Sequence, residues 1–379
     1  MAFVLNEEQV LIKDTAHNFF ADQAPVSALR ALRDEGDEQG YSPALWRDMA
    51  ELGFAGILVA EEHGGSGLGY LPMGLVLEES GRTLAATPLL ATAVIGAAAL
   101  QLAGSAEQRS ELLPSLAGGE TLLALAHEEG PHHAPRFVAT RAGAVDGGFR
   151  ISGEKSFVLD GHIADQLIVV ARTAGEPADY EGLTLFLVPA HAAGVTRTRT
   201  MMVDSRNAAR IAFDEVHVGP EAVLGEVGGG AGLLDDLLDR ARIALSAEML
   251  GSVLEAFERS VEYLKVREQF GVPIGSFQAL KHRAALMFNE IELSKSIVLE
   301  GLSALDVGRD DVALLASCAK AKLCDAFELV SSEAVQLHGG IGMTDEEEIG
   351  FFLKRARVAQ RAFGDAAFHR DRFARLQEF

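Results

Sequence analysis

Cysteine is almost missing from this chain of 379 residues: Cys318 and Cys324 are the only two. They lie six apart in a helix-patterned stretch, a spacing that turns them away from each other, so a disulfide framework is excluded and a reducing compartment is expected. Positive charge is also in short supply, with 33 Lys and Arg against 55 Asp and Glu and a formal net charge of −22. A polyanion is repelled by such a field unless a local basic block offsets it, and no such block occurs, so nucleic acid is not an expected partner. No window reaches the ~18 to 20 apolar residues of a spanning helix. The opening MAFVLNEEQVLIKD lacks the basic start and long apolar run of a secretory signal. A soluble, cytoplasmic protein without a membrane role is expected. What the chain has is core material: 48% hydrophobic and 23% charged residues, enough for two or three structural units.

The hydrophobic period changes twice along the chain. Val10, Leu11, Ala16, Phe19 and Phe20 recur near 3.6, as do Leu45, Trp46, Met49 and Leu52, which predicts helices over 1–120. From Phe149 the pattern turns to short β runs, FRISGEKSFVL, QLIVVAR, LTLFLVP, VTRTRTM and ARIAFDEVHV, divided by turn clusters such as Asp146-Gly147-Gly148. Their spacing predicts a small antiparallel sandwich or barrel over 121–227, not βαβ repeats. After Gly228-Gly229-Gly230 the helical period returns, with breaks at Gly271 to Ser276, Gly308 and Gly339 to Gly342, predicting a bundle of four long helices over 228–379. The fold class is α+β multidomain: helical, then β, then helical bundle.

Several clusters invite chemistry and are better read plainly. Gly64-Gly65-Ser66-Gly67-Leu68-Gly69 lacks the preceding strand and following Lys-Ser/Thr of a phosphate loop and reads as a flexible connector. His127, His132 and His133 beside Glu128 and Glu129 suggest metal ligands, but Gly130, Pro131 and Pro135 break any fixed ligand spacing, so a solvated loop and no metal are expected. Asp345-Glu346-Glu347-Glu348 reads as a solvated helix start.

Two segments are harder to dismiss. Val266-Arg267-Glu268-Gln269-Phe270-Gly271-Val272-Pro273-Ile274-Gly275-Ser276-Phe277-Gln278 sets a cation, amides and aromatics around a tight break between helices, which suits an anionic, planar ligand. Gln336-Leu337-His338-Gly339-Gly340-Ile341-Gly342 ends a helix in glycines, where bare backbone can approach a phosphate or ring. Together they resemble the flavin-binding signatures of the acyl-CoA dehydrogenases. The similarity runs through essentially the whole chain, including Glu61 to Gly69 and Gly153-Glu154-Lys155. It implies an N-terminal helical domain, a β-barrel middle domain, a C-terminal four-helix bundle, and FAD as cofactor. By resemblance Arg267 and Gln269 bind the flavin pyrophosphate, with Phe270, Phe277 and Gln278 near the dinucleotide. Gln336, Gly339 and Gly340 receive a neighbouring subunit's cofactor, Phe157 and His127 line the flavin in the middle domain, and Asp239 and Arg242 contact the CoA moiety. A surface ion pair explains Asp239 and Arg242 equally well from spacing alone.

The chemistry implied is α,β-dehydrogenation of an acyl-CoA thioester, in which a carboxylate takes the α-proton and flavin takes the β-hydride. Here the chain departs from the pattern. Phe363 stands where the family's usual Glu belongs, and Ala241 stands at the alternative position. The nearest carboxylates are Asp365 and Asp239, and Asp365 is the candidate base. Phe157-Val158-Leu159 replaces the family's Trp-Ile-Thr run and loses a hydroxyl. The subgroup most similar in Phe363-Gly364-Asp365-Ala366-Ala367-Phe368-His369 is the small subunits of heteromeric bacterial enzymes, like the pimeloyl-CoA dehydrogenase small subunit. A homo- or heterotetramer, possible pairing with a larger acyl-CoA dehydrogenase subunit, and an electron-transferring flavoprotein as acceptor follow from that resemblance.

Overall fold

The computed structural model describes residues 4–379. Residues 1–3, where the stretch read for a signal begins, lie outside the described residues. Among the described residues six α-helices come first: α1 (Glu7–Gln23), α2 (Val26–Glu35), α3 (Pro43–Glu51), α4 (Tyr70–Arg82), α5 (Ala97–Ala103), which continues a π-helical stretch at Leu89–Gly96, and α6 (Ala106–Ala117). Their starts are written in the sequence: Asn6 with Gln9 and Ser105 with Gln108 form capping boxes, and Ser42 caps a helix that begins on Pro43. Eight strands follow, β1 (Leu123–Ala126), β2 (Arg141–Val145), β3 (Gly148–Leu159), β4 (Gln166–Arg172), β5 (Leu183–Pro189), β6 (Val195–Met201), β7 (Asn207–Val218) and β8 (Val223–Leu224). Then come α7 (Gly230–Val266), a hairpin of β9 (Glu268–Gln269) and β10 (Val272–Pro273), α8 (Gln278–Val307), α9 (Val312–His338), α10 (Ile349–Arg361) and α11 (Ala366–Leu376). Where four long helices are expected at the end, three long and two short ones form, because the chain turns at Gly339 and again at Phe363-Gly364, all with positive φ. No helix among the described residues is long and apolar enough to cross a membrane.

The chain forms two compact units. One comprises the chain through Glu35, Tyr70–Ala85 and Arg242–Phe379; the other comprises Gly36–Gly69 and Ala86–Ala241. In the first, α4 meets α7 at backbone distance. A Cβ on Gly251 would lie 1.7 Å from the Glu78 carbonyl oxygen, and one on Gly81 would lie 2.0 Å from that of Glu248. Glycine at both positions is therefore a packing requirement, not a propensity effect. Beside this crossing the buried Glu79 carboxylate is met by His17 Nδ1 at 2.9 Å and Arg82 Nε at 3.4 Å.

The second unit holds a single mixed sheet, ordered β6-β7-β3-β2-β4-β5-β8, with β1 also on β4. The spacing predicts antiparallel pairing throughout, but β1 and β2 both pair parallel to β4. The strands β4 and β5 are covered on both faces, which is why QLIVVAR and LTLFLVP read as unbroken apolar runs. Two bulges disturb the β3–β7 ladder, one after Lys155, and Phe157 takes a left-handed φ of 52° there. The bulge leaves the Phe157 side chain 48% exposed. The glycine segment expected as a flexible connector is closely seated: a Cβ on Gly65 would lie 2.1 Å from the Val59 carbonyl.

A buried ion pair ties the β1–β2 connection to β3. The fully buried Lys155 Nζ donates to Glu129 Oε1 at 2.6 Å, and Glu129 also accepts from the Ala139 and Thr140 amides at 2.6 and 3.0 Å. Burial pushes the Lys155 ammonium down to about 8, opposed by the Glu129 charge. Burial alone would raise the Glu129 carboxyl, but Lys155 and these donors outweigh it and hold it below the usual carboxylate range.

Two expectations follow. Gly251→Ala lowers stability by about 1–3 kcal/mol through overpacking, whereas Gly232→Ala, which meets nothing within 4 Å, stabilises by roughly 0.5 kcal/mol; urea titrations of the two variants should move in opposite directions. Glu129→Gln strands a buried cation and costs about 3–5 kcal/mol, partly recovered in Glu129→Gln/Lys155→Met. The Glu129 contribution is present above the unfolded value near 4.5 and is lost as pH falls below it through the folded value. Protection factors at Ala139 and Thr140, taken relative to the intrinsic exchange rate at each pH, should therefore fall on acidification in wild type, and an unchanged acid profile in Glu129→Gln relative to wild type would contradict this.

Candidate active site

The turn that closes α10 is fastened by side chains from three other helices. Phe363 has φ 57° and Gly364 φ 104°, a reversal that an L side chain adopts at a cost of roughly 1–2 kcal/mol. Three buried side chains hold it. Arg242 Nε donates to the Phe363 carbonyl at 3.1 Å, and His369 Nε2 donates to the same oxygen at 3.0 Å. Lys320 Nζ donates to the carbonyls of Ala359, Gln360 and Gly364 at 2.9, 3.3 and 2.9 Å and lies 3.3 Å from Cys324 Sγ. Burial pushes the Lys320 ammonium down, opposed by Cys324 and by the Asp365 charge. These carbonyls are the unpaired acceptors of a helix C-terminus, the place where a cation is most favoured.

The candidate base Asp365 sits at the edge of this turn with both oxygens engaged. Oδ1 accepts from the Phe368 amide at 3.0 Å as the N-cap of α11, and Oδ2 accepts from Arg361 at 2.8 Å. On α7, Asp239, Ala241 and Arg242 are all buried, which removes the surface ion pair as an account of Asp239 and Arg242. The Arg242 guanidinium also lies 5.6 Å from the Phe368 ring centroid, within cation–π range.

The second cluster of this unit follows α7. Phe270 and Gly271, with φ 54° and 76°, make the two-residue turn of the β9–β10 hairpin, the type I′ geometry that matches strand twist. The hairpin projects Phe270, 93% exposed, with Phe277 edge-on at 6.2 Å. Arg267 is exposed, and its guanidinium makes no hydrogen bond or ion pair among the described residues; Gln269 Nε2 donates only to the Glu268 carbonyl, at 2.8 Å. At the end of α9, Gln336, Gly339 and Gly340 are exposed, and a Cβ on either glycine would meet nothing within 4 Å. His338 turns inward between them, Nδ1 donating to the Ala334 carbonyl at 2.8 Å and its ring stacked on Tyr263 at 4.4 Å. A free guanidinium and open glycine backbone fit the diphosphate and ribose of a dinucleotide such as FAD.

In the second unit a cleft of about 350 Å³ is lined by Glu129, Gly130, Pro131, Glu154, Ser156, Phe157, Thr200 and Arg210. Phe157 lines this cleft, and Leu159 two residues on carries no hydroxyl. The histidine loop corrects the solvated reading: His127 is buried and the His133 side chain nearly so, and both face Glu128. Burial alone would raise the Glu128 carboxyl, but the two imidazoles outweigh it and hold it far below the usual range. Sequence reasoning missed Lys320 altogether. Its signal was a lysine on the apolar stripe Ala316, Lys320, Leu323, Phe327 of α9, where only a satisfied cation can sit.

Comparison with known proteins accounts for this arrangement in order along the chain. Residues 6–120 match the acyl-CoA dehydrogenase N-terminal domain, 124–216 the middle domain, and 228–377 the C-terminal domain. The chain is similar to the probable acyl-CoA dehydrogenase YngJ of Bacillus subtilis, with 30% identity over 378 residues covering 98% of each protein. It is similar in structure to the Tcur3481-Tcur3483 steroid ACAD, with a TM-score of 0.88, 32% identity and 98% of each chain covered. The ChsE4-ChsE5 complex of Mycobacterium tuberculosis gives a TM-score of 0.90 at 26% identity, with 100% of each chain covered. With its length matched by all three domains and a relative covered almost end to end, the chain belongs to the acyl-CoA dehydrogenase family of oxidoreductases.

Proposed function

We propose that this chain is one subunit of a tetrameric, FAD-dependent acyl-CoA dehydrogenase whose proton-abstracting carboxylate comes from a second, larger chain of the same family. The observation that carries this reading is the Phe363 turn. Its main chain is fastened by Arg242, His369 and Lys320, yet the residue it displays cannot accept a proton. The other family position is the buried Ala241, equally inert. When bound, FAD supplies the hydride acceptor.

The chain's own residues supply binding and orientation. Arg267 and Gln269 offer donors to the pyrophosphate, Phe270, Phe277 and Gln278 offer an apolar and amide surface to the dinucleotide, and Gln336, Gly339 and Gly340 offer exposed backbone to a neighbour's cofactor. Phe157 and His127 serve the flavin from the middle domain. Asp239 and Arg242 serve the acyl-CoA, with Arg242 also fixing the turn. Removal of a proton beside a thioester needs a positioned base worth about 10²–10⁴ in rate, and on this reading that base is assigned to none of these groups. The substrate class is a fatty, dicarboxylic or steroid-side-chain acyl-CoA, and an electron-transferring flavoprotein receives the electrons. The two-component names of the Tcur3481-Tcur3483 and ChsE4-ChsE5 structures support the paired reading.

The test is anaerobic absorption spectroscopy of the chain purified alone, titrated with a panel of saturated acyl-CoA esters. Wild type is expected to carry flavin that bleaches at least about a hundredfold more slowly than the flavin of Phe363→Glu. No gain in Phe363→Glu with flavin and ester still bound would sink the missing-base account. Bleaching of wild type that disappears in Asp365→Asn would assign the base to Asp365 instead. A colourless chain that binds ester would favour a silent partner subunit.

A further inference from the structure

We propose that His127, Glu128 and His133 form a divalent-cation site whose ligand set fits zinc. This inference uses no flavin or acyl-CoA chemistry, but it shares His127 with the dehydrogenase reading, which gives that side chain to the flavin; here the same side chain is a metal ligand. The three side chains come from a seven-residue stretch leaving β1, and their ligand atoms all lie within 4.8 Å of one another. His127 Nε2 is 3.3 Å from Glu128 Oε1, and His133 Nδ1 contacts the same oxygen. Two nitrogens and one carboxylate oxygen around a point are the donors of a His₂Glu site, in which Zn–N and Zn–O distances of about 2.0–2.2 Å set neighbouring ligand atoms about 3.3 Å apart. The His127 pair already has that separation, and an ion between His133 and Glu128 would replace their direct contact.

The surroundings orient the donors. Glu128 Oε2 faces the Ala134 amide at 3.4 Å, leaving Oε1 to the imidazoles. The Glu128 carbonyl accepts from the Ser156 amide at 2.8 Å, which anchors the loop to β3. The nearby ammonium of Lys155 is matched by Glu129 at 2.6 Å, so Glu128 is not needed as its counter-ion. The rings of His127 and His133 stand nearly perpendicular, 74° apart with centroids 6.1 Å apart, so they approach the point from different directions. Three protein ligands leave a fourth position to water. Gly130 and Pro131 of the same loop line the cleft described above.

The experiment uses the full, untagged chain, stripped with chelator, desalted and titrated with Zn²⁺ by calorimetry, with Co²⁺ as a spectroscopic probe. The expected result is one ion per chain and the visible bands of tetrahedral Co²⁺. Affinity should fall at least tenfold in His133→Ala and in Glu128→Gln and stay unchanged in His132→Ala, the exposed neighbour. A variant that loosens the loop is separated from one that loses a ligand by melting: Zn²⁺ raises the wild-type Tm and leaves that of Glu128→Gln where it is. Absence of uptake by wild type overturns the proposal, as does uptake equal in wild type, His133→Ala and Glu128→Gln.

Discussion

A helix that ends inside a protein leaves carbonyl oxygens that water cannot reach, and the end of α10 is such a place. Lys320 answers it with three main-chain acceptors on one ammonium, and Arg242 and His369 share the next carbonyl. A buried ammonium without a carboxylate is expensive by several kcal/mol, and what offsets it is the number of acceptors together with the negative end of the helix. Every one of these bonds is to backbone. The turn is therefore specified without reference to the side chain at 363, and a residue there can change from acid to aromatic while the loop keeps its course.

The same device recurs in the second unit. Arg172, fully buried on β4, donates to the carbonyls of Val138, Ala174, Pro177, Asp179 and Glu181 at 2.8–3.3 Å. Arg197 Nη1 donates to those of His162 and Ala164. In a chain with 22 more acidic than basic residues, the few interior cations are the organisers of loops, because Arg and Lys carry several donors and no acceptor while a turn exposes mainly acceptors. The abundant carboxylates lie mostly outside. The buried Glu79 meets His17 and Arg82, and the largely covered Glu129 meets Lys155 and two amides.

Local rules carried most of the architecture. The capping boxes at Asn6 and Ser105 and the apolar runs of β4 and β5 are visible by inspection, and so are the glycine breaks at 271, 308 and 339. What was not visible depends on partners far along the chain. LALA at 123–126 has neither alternation nor length, and it is a strand only because β4 pairs with it in parallel. The acceptors of Lys320 lie about forty residues further on, in the carbonyls at the end of α10, so nothing local to α9 names them. The histidine loop looked solvated because proline and glycine interrupt it, yet the Glu129–Lys155 pair draws it onto β3 and buries two imidazoles. The family's pattern names Arg267 and Gly339 as candidates, and both are exposed; where the pattern is broken, at Ala241 and Phe363, the sequence alone names no group at either position to replace the acid.

The broken positions bear on where a base can come from. For Asp365 to take a substrate proton it must release the Phe368 amide and the Arg361 guanidinium, uncapping α11 at a cost of about 1 kcal/mol. It must also turn toward the position that the Phe363 side chain occupies in the sequence of the turn, two residues earlier, across a glycine with φ 104°. A carboxylate supplied by another chain meets neither obstacle. The turn on this chain then has a purely structural duty, and fastening it through main-chain carbonyls alone is what allows that duty to outlast the loss of the acid.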